Sequence, residues 1–273
     1  MSERRVVLIT GSTDGIGRAT ARGLAAAGVK VILHGRSKAK VDAVIAKLSE
    51  ELPGAEIEGV SFDLGSLTAV RKGAEQILSR LPALHVLVNN AGIYSDERAA
   101  TDDGIELTFA VNHIGPFLLT ELLAARLEES ATEAPSRVIN VSSIAHTRGR
   151  IHVDDLALAQ GWTPYAAYAQ SKLANVMHAL ELAERRDPKK LVAFSLHPGV
   201  IGTKLLRLGF GPVQGASTET GARTPIRLAG ATSVDEPSGT YFNEGTPTQP
   251  ATAARDKQAR AALWDASVKL AKL

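Results

Sequence analysis

The chain has 273 residues, of which 44% are hydrophobic, enough for one substantial core without a compositional break, so we expect a single domain over residues 1–273. The net charge of +2 excludes the strongly basic surface of nucleic-acid-binding proteins, and the absence of cysteine excludes disulfides and thiol catalysis and favours a cytoplasmic location. We expect no membrane span, because no apolar run approaches the required length, and no signal peptide, because the first predicted strand begins near residue 1.

The first predicted elements are a strand, a glycine-rich turn and a helix. Val6–Ile9 is a run of β-favouring apolar residues, and apolar periodicity predicts a helix over residues 18–27. The turn has the spacing G-x-x-x-G-x-G, not the general G-x-G-x-x-G, and contains Gly11, Ser12, Thr13, Asp14, Gly15, Ile16 and Gly17. Glycine lets the backbone approach a phosphate, and the N–H groups that begin the helix attract its charge. The turn therefore predicts a dinucleotide phosphate site, with a tight helix–strand turn as the alternative.

A second strand is predicted over residues 29–34, and Arg36 follows it. In a dinucleotide-binding fold, the residue about 20 positions after the glycine loop meets the adenosine ribose, where an acid suits a 2′-hydroxyl and an arginine suits a 2′-phosphate. The region offers Arg36 and no acid, which favours NADP(H), with NAD(H) still possible. Against this, Arg36, Lys38 and Lys40 also fit a solvated face, and Asp14 adds negative charge to the loop.

The next three predicted elements are a strand over residues 56–62, a helix over 67–81 and a strand over 85–88. In an open parallel sheet, ligands lie beyond the carboxyl ends of the strands. Asp63 follows the first of these strands and either accepts from an adenine amino group or caps the next helix. Asn89 and Asn90 follow the second and are candidates to fix neighbouring backbone beside a cofactor.

A long helix is predicted over residues 103–129 from the helical spacing of its apolar residues. Pro116 interrupts the pattern because it has no N–H to bond the carbonyl of Asn112, four residues earlier. That carbonyl needs another partner, most simply a water. Taken by itself, however, the proline is better explained as a harmless kink.

A fifth strand, Ser136–Val141, ends in Ser142 and Ser143. Tyr168 and Lys172 lie four residues apart in the helix predicted after it. This spacing places both on one helix face, close enough for the ammonium to influence the phenol.

The last part of the chain alternates again between strands and helices. A strand is predicted over residues 191–196, another over 239–242 and an amphipathic helix over 252–272. Residues 203–237 are rich in Gly, Thr and Pro with an apolar patch, which indicates a mobile cover over a pocket.

Six motifs follow one another along the sequence. They are Thr10-Gly11-x-x-x-Gly15-Ile16-Gly17, Asn89-Asn90-Ala91-Gly92, Asn112, Ser143, Tyr168-x-x-x-Lys172 and Pro198-Gly199. In this order and spacing the chain resembles the short-chain dehydrogenase/reductase family over nearly its whole length, and its retinol dehydrogenase-like branch most closely. The resemblance implies an α/β fold, a single Rossmann-type, doubly wound parallel sheet of about seven strands with helices on both faces.

The resemblance also implies catalytic roles. Tyr168 is the general acid in carbonyl reduction and the base in alcohol oxidation, and the Lys172 cation lowers the pKa of the phenol. Lys172 also holds the nicotinamide ribose. Ser143 hydrogen-bonds the substrate oxygen, and the main-chain carbonyl of Asn112 holds a water that links Lys172 to solvent.

By the same resemblance, a second group of residues contacts the cofactor. Besides the glycine loop, Arg36, Tyr168 and Lys172, these are Asp63, Leu64, Asn90, Ala91, Gly92, Pro198, Gly199, Val200 and Thr203. One departure from compact members is an insertion at about residues 148–164, before a helix that many members use for oligomer contacts. A monomer or homodimer is therefore expected rather than a tetramer.

The expected function is hydride transfer between NADP(H) and a small-molecule carbonyl or alcohol substrate, with an apolar substrate indicated by Leu205, Leu206, Leu208 and Phe210. Two alternatives stay open: reduction of a carbon–carbon double bond, as in the related protochlorophyllide reductases, and a catalytically silent NADPH sensor. No metal site is expected, because the seven histidines show no H-E-x-x-H or comparable spacing.

Overall fold

A computed structural model describes residues 5–273 of this protein. The strands in this part of the chain form one mixed sheet. They are β1 Val6–Ile9, β2 Lys30–Gly35, β3 Ile57–Ser61, β4 Val86–Asn89, β5 Ser136–Val141, β6 Leu191–His197, β7 Tyr241–Asn243 and β8 Thr246–Thr248. Their order across the sheet is β3-β2-β1-β4-β5-β6-β7-β8. All neighbouring pairs are parallel except β7 and β8, which are antiparallel.

Helices cover both faces of the sheet. They are α1 Gly15–Ala26, α2 Lys38–Glu51, α3 Leu67–Arg80, α4 Leu107–Phe109, α5 Gly115–Glu129, α6 Pro164–Arg185, α7 Lys204–Phe210, α8 Thr218–Gly230, α9 Thr252–Arg255 and α10 Lys257–Ala271. Several begin where a short polar side chain accepts a hydrogen bond from the first turn, as Ser37, Ser66 and Thr163 do for α2, α3 and α6.

Two hydrophobic cores lie on opposite faces of the sheet. Strand β1 contributes to both, because Leu8 packs in one core and its neighbours Val7 and Ile9 pack in the other. A strand buried on both faces is a continuous apolar run, which explains why Val6–Ile9 could be predicted without any alternation. The doubly wound α/β architecture is therefore as predicted.

The sheet has eight strands where about seven were expected. The additional strand, β8, is exposed along its whole length and contains Pro247 between two threonines. A short polar edge strand with a proline carries no hydrophobic pattern, so it could not be predicted from the sequence.

The segment predicted as one helix over residues 103–129 begins at Leu107 and changes geometry twice. Ala110–Ile114 is π-helical, with the Gly115 N–H bonded to the Ala110 carbonyl, and α5 follows it. Pro116 lies at the start of α5, a position that tolerates the missing N–H. The local widening of the helix accommodates the proline without a break.

By length and composition, Leu107–Glu129 is apolar enough to cross a membrane, with a mean hydropathy of 1.3, so the expectation that no apolar run approaches this length was wrong. In the fold, 78% of its most apolar window is buried. Such burial is typical of a helix in the core of a globular domain.

Candidate active site

A cleft of about 870 Å³ lies at the carboxyl ends of the central parallel strands. Nineteen predicted site residues line it: Gly11, Thr13, Asp14, Gly15, Ile16, Gly17, Arg36, Asp63, Leu64, Asn90, Ala91, Gly92, Ser143, Tyr168, Lys172, Pro198, Gly199, Val200 and Thr203. Two predicted residues, Ser12 and Asn112, are buried away from it. Five of the six sequence motifs, all but Asn112, therefore contribute residues to one cleft although they are spread over most of the chain.

The glycine loop is held in place by the segment that follows β4. The Asn90 side-chain amide donates to the carbonyl of Thr10 at 2.8 Å, and the Thr10 hydroxyl accepts from the N–H groups of Asn90 and Ala91 at 3.0 Å. Gly11 adopts a φ of +63°, and a Cβ there would lie 2.8 Å from Cα of Ala91. Only glycine fits this close crossing of two loops without strain.

Ser12 was predicted to bind the cofactor, and in the structure its hydroxyl and N–H are hydrogen-bonded within the protein. Its hydroxyl donates to the Ile9 carbonyl at 2.9 Å and accepts from the His34 N–H at 2.9 Å. Its own N–H bonds the His34 carbonyl at 2.9 Å. Because all these groups are used internally, Ser12 joins the loop to β2 and has no donor left for a ligand.

His34 is a structural residue of the site that the sequence analysis did not identify. Its Nδ1 accepts from the Gly11 N–H at 3.3 Å, so the ring proton lies on Nε2, which donates to the Phe62 carbonyl at 3.1 Å. The buried ring therefore connects the glycine loop, β2 and the end of β3. Burial lowers its pKa from 6.5 to about 4. The available signal was a histidine at the end of an otherwise apolar strand.

We expect His34 to make the fold sensitive to mild acid. Since its pKa is lowered in the folded state, the unfolded chain binds the proton first as pH falls below 6.5, and stability is lost as pH falls toward 4. Between pH 7 and pH 5 the loss from this residue is about 2 kcal/mol. Urea unfolding at both pH values measures it, and His34→Gln should show a correspondingly smaller loss. An equal loss in both proteins would contradict this role.

Arg36 lines the cleft, and its guanidinium is largely free. Its side chain is 82% exposed, and its nearest acid is Asp63, at 3.9 Å. One Asp63 oxygen already accepts from the Gly65 N–H at 2.8 Å. Lys38, by contrast, pairs with Asp42 at 2.6 Å on α2 and does not line the cleft. The solvated-face interpretation therefore applies to Lys38, whereas Arg36 is available to an anion.

Asp14 caps α1 and is neutralised from across the cleft. One carboxylate oxygen accepts from the Gly15 N–H at 2.8 Å, and the other lies 3.1 Å from Nζ of Lys204, at the start of α7. Burial acts to raise the pKa of Asp14, but the Lys204 ammonium and the Gly15 N–H together hold it below its usual value. Its negative charge is thus paired, so Asp14 repels a bound phosphate less than expected from the sequence.

Helix α6 carries Tyr168 and Lys172 on the face toward the cleft. Tyr168 is 5% exposed, and Nζ of Lys172 lies 5.6 Å from the centre of its ring. The same Nζ donates to the Val141 carbonyl at 3.0 Å, at the end of β5. The (i, i+4) spacing therefore places the two side chains together as predicted.

The pKa values of this pair differ from the expectation. Burial raises the pKa of Tyr168 to about 12, although a hydrogen bond from the Ser143 side chain opposes the rise. Burial also lowers the pKa of Lys172 to about 8. The expected lowering of the phenol's pKa by Lys172 was wrong for this structure, because desolvation dominates both groups. The phenol is consequently protonated across the neutral range.

Ser143 is presented to the cleft, whereas its neighbour Ser142 is used internally. The Ser142 hydroxyl donates to the Lys172 carbonyl at 2.7 Å and ties β5 to α6. His146, not singled out for the site, accepts from the Ala251 N–H at Nε2 and donates from Nδ1 to the Ser143 carbonyl at 2.7 Å. A histidine three residues after the serine was the only signal for this contact.

Asn112 lies in the π-helical turn, and its side chain is fully used in holding the site together. Its carboxamide oxygen accepts from the Ile93 N–H at 2.7 Å, and its nitrogen donates to the Ile93 carbonyl and to the Ser171 hydroxyl, both at 3.0 Å. The residue thus joins the segment after β4 to α6, and only its main-chain groups are left for the predicted role.

Comparison with known proteins shows the family of this chain. The sequence model of short chain dehydrogenases matches residues 5–208, and the chain belongs to this family of oxidoreductases. Retinol dehydrogenase 12 of Mus musculus is 36% identical over 97% of this chain and 86% of its own length.

Two solved structures show the same fold. An uncharacterized protein from Mycobacterium paratuberculosis superposes with a TM-score of 0.81 and 34% identity, covering 98% of this chain and 93% of that chain. A protein described as a short chain dehydrogenase from Shigella flexneri, complexed with NADP, has a TM-score of 0.72 and 25% identity, covering 88% of this chain and 96% of that chain.

Proposed function

We propose that this chain is an NADP(H)-dependent oxidoreductase that transfers a hydride between the nicotinamide and a carbonyl or alcohol carbon. The observation that carries the proposal is the convergence of Ser143, Tyr168 and Lys172 in the cleft that also contains the glycine loop. A hydroxyl hydrogen-bonded to a buried phenol, with an amine beside it, is a proton-transfer site. Coupled with hydride transfer, it completes the interconversion of a carbonyl and an alcohol.

The residues present fit a dinucleotide with a 2′-phosphate. The first turn of α1 faces the cleft, and its N–H groups have no partners within the helix, which suits a pyrophosphate. Arg36 suits the 2′-phosphate, and Val200 and Thr203 line the opposite wall. When bound, NADPH supplies the hydride, as NADP⁺ accepts it in the reverse direction.

In carbonyl reduction, Tyr168 donates its phenolic proton to the substrate oxygen while Ser143 hydrogen-bonds the same oxygen as charge develops on it. The Lys172 ammonium stabilises the phenolate that Tyr168 becomes, because an opposite charge nearby favours the ionised form. The phenolate then regains its proton by way of the Lys172 ammonium, and a water held by the main-chain carbonyl of Asn112 restores the proton of Lys172 from solvent. In alcohol oxidation the same groups act in reverse.

The proposed substrate is apolar. The cleft lining includes the hydrophobic side chains of Ile144, Leu205, Leu206, Phe210 and Val213, of which Leu205 and Phe210 pack near Tyr168. The name of the mouse relative, retinol dehydrogenase, supports an apolar alcohol or aldehyde. We also propose that residues 203–237, which form α7 and α8 rather than an irregular loop, cover the substrate.

Arg36→Ala tests the cofactor preference. We expect the KM for NADPH to rise about 10- to 100-fold, because a charge-assisted hydrogen bond contributes about 1.5–3 kcal/mol, while the KM for NADH changes little. Lys38→Ala is the matched control, since it removes an exposed cation outside the cleft. Equal changes for both cofactors in Arg36→Ala would contradict a contact with the 2′-phosphate.

Further parts of the proposal rest on the sequence. We propose one domain, a cytoplasmic location on the absence of cysteine, and a monomer or homodimer on the insertion before α6. The alternative of double-bond reduction is tested by product analysis, and the alternative of a silent sensor by turnover.

A further inference from the structure

Aromatic side chains are concentrated around the proposed proton donor. The chain has only four tyrosines, and three of them, Tyr94, Tyr165 and Tyr168, have ring contacts with Phe210. The Phe210 ring centre lies 5.7 Å from that of Tyr94, 6.2 Å from that of Tyr165 and 6.1 Å from that of Tyr168. The ring centres of Tyr94 and Tyr168 lie 5.5 Å apart, so the three tyrosine rings and Phe210 form one connected group.

The end of α7 is shaped for this contact. A Cβ at Gly209 would lie 2.8 Å from Cδ2 of Tyr94, so any other residue would push α7 away from that ring. Because Gly209 has no side chain, the Tyr94 ring can pack against the end of α7 and contact the Phe210 ring. The neighbouring Leu208 points outward and is 72% exposed, which shows that α7 turns Phe210, and not Leu208, toward the site.

Phe210 is held in this way yet is still accessible from the cleft. Its side chain is 39% exposed and lines the cleft beside Tyr168. A phenyl ring held at a fixed position next to a proton donor presents a π-system to whatever is attached to the reacting carbonyl. Flat unsaturated groups stack on such a ring, whereas saturated rings are thicker and have no π-face.

We propose that Phe210, supported by Tyr94 and Tyr165, determines specificity by selecting substrates in which a planar unsaturated group, aryl or conjugated alkenyl, is attached directly to the reacting carbonyl. This inference rests on the proposed function, because it assigns the substrate class of the same site. It goes beyond apolarity, since a saturated substrate of equal size would fill the cleft but not stack.

The test compares two aldehydes of the same carbon count, benzaldehyde and cyclohexanecarbaldehyde. The ratio of their kcat/KM values with NADPH is measured for the wild type, Phe210→Leu and Phe210→Tyr. We expect Phe210→Leu to lower the ratio of aryl to saturated substrate by about 2- to 12-fold, the range of an aromatic pair contact, while Phe210→Tyr keeps the ring and the ratio. Leu208→Ala, on the exposed side of α7, should match the wild type.

A binding measurement gives the same comparison without turnover. The dissociation constants of benzamide and cyclohexanecarboxamide, measured by ligand-observed NMR, should change their ratio in Phe210→Leu by a similar factor. Unchanged ratios in Phe210→Leu, with turnover still measurable, would overturn the selection by Phe210 and leave the proposed function standing. Absence of turnover of any carbonyl by the wild type with either cofactor would overturn both.

Discussion

Tyr168→Phe should lower kcat/KM for carbonyl reduction by about 10²- to 10⁴-fold, the range typical of a lost general acid. The substitution removes only the phenolic hydroxyl from a buried ring, so the packing of α6 and the glycine loop should be preserved. NADPH binding, followed by fluorescence titration, should change by less than about threefold, which is under 1 kcal/mol. The loss would therefore lie in the chemical step.

Tyr241→Phe is the control for this variant. Tyr241 is also buried, and its hydroxyl has no hydrogen-bond partner in the described part of the chain, so its removal should leave turnover unchanged. If Tyr168→Phe retained wild-type turnover, the assignment of the proton donor would be wrong.

Lys172→Met should lower kcat for carbonyl reduction by about 10- to 1,000-fold and change its dependence on pH. Because burial lowers the pKa of Lys172 to about 8, the ammonium is present below that pH and is lost above it. The wild-type rate should therefore be highest below pH 8 and decline as pH rises through about 8. In Lys172→Met this decline should disappear, because no ammonium is left to lose its proton.

Rate profiles from pH 6 to pH 10 measure the effect, with Lys38→Met as an exposed lysine control. A profile in Lys172→Met with the same decline as the wild type would show that another group titrates. Because the cofactor is less stable in acid, the rates of the wild type and Lys172→Met are compared on the alkaline side of the pH profile.

The residues predicted from sequence share a local signal. Gly11, Tyr168 and Lys172 lie in short motifs whose spacing alone determines their geometry, because a strand–turn–helix and an (i, i+4) helical pair are set by the local backbone. Adjacent strands then bring these motifs to one edge of the sheet. This part of the site could be predicted because it depends on few long-range contacts.

The contacts that could not be predicted join residues far apart in the chain. His34 acts through Gly11 and Phe62, which are 23 and 28 positions away along the chain. His146 joins the serine loop to Ala251, 105 positions away. None of these three sequence separations leaves a periodic pattern in the sequence. The pKa of Tyr168 likewise depends on its burial in the folded protein. Ser12 was assigned to the cofactor because the spacing identifies the loop but not which way each side chain turns.

The loop expected over residues 203–237 is instead largely helical, for a related reason. Residues 203–237 contain enough Gly, Thr and Pro to indicate a loop, yet Thr203 and Ser217 act as N-caps for α7 and α8. Pro225 lies within α8, where helix propensity alone would not place it. Packing of α8 on α1 offsets this unfavourable propensity, since Ile226 contacts Gly23.

The most direct test of the proposed reaction is to follow deuterium from NADPH labelled with two deuterium atoms at C4 into an unsaturated aldehyde such as cinnamaldehyde. Deuterium at the carbinol carbon of the product, detected by NMR and absent with Tyr168→Phe, is the predicted result. Deuterium at the β-carbon of a saturated aldehyde would instead identify a double-bond reductase. Tight binding of NADPH with no transfer to any carbonyl substrate would contradict hydride transfer and identify the protein as a sensor.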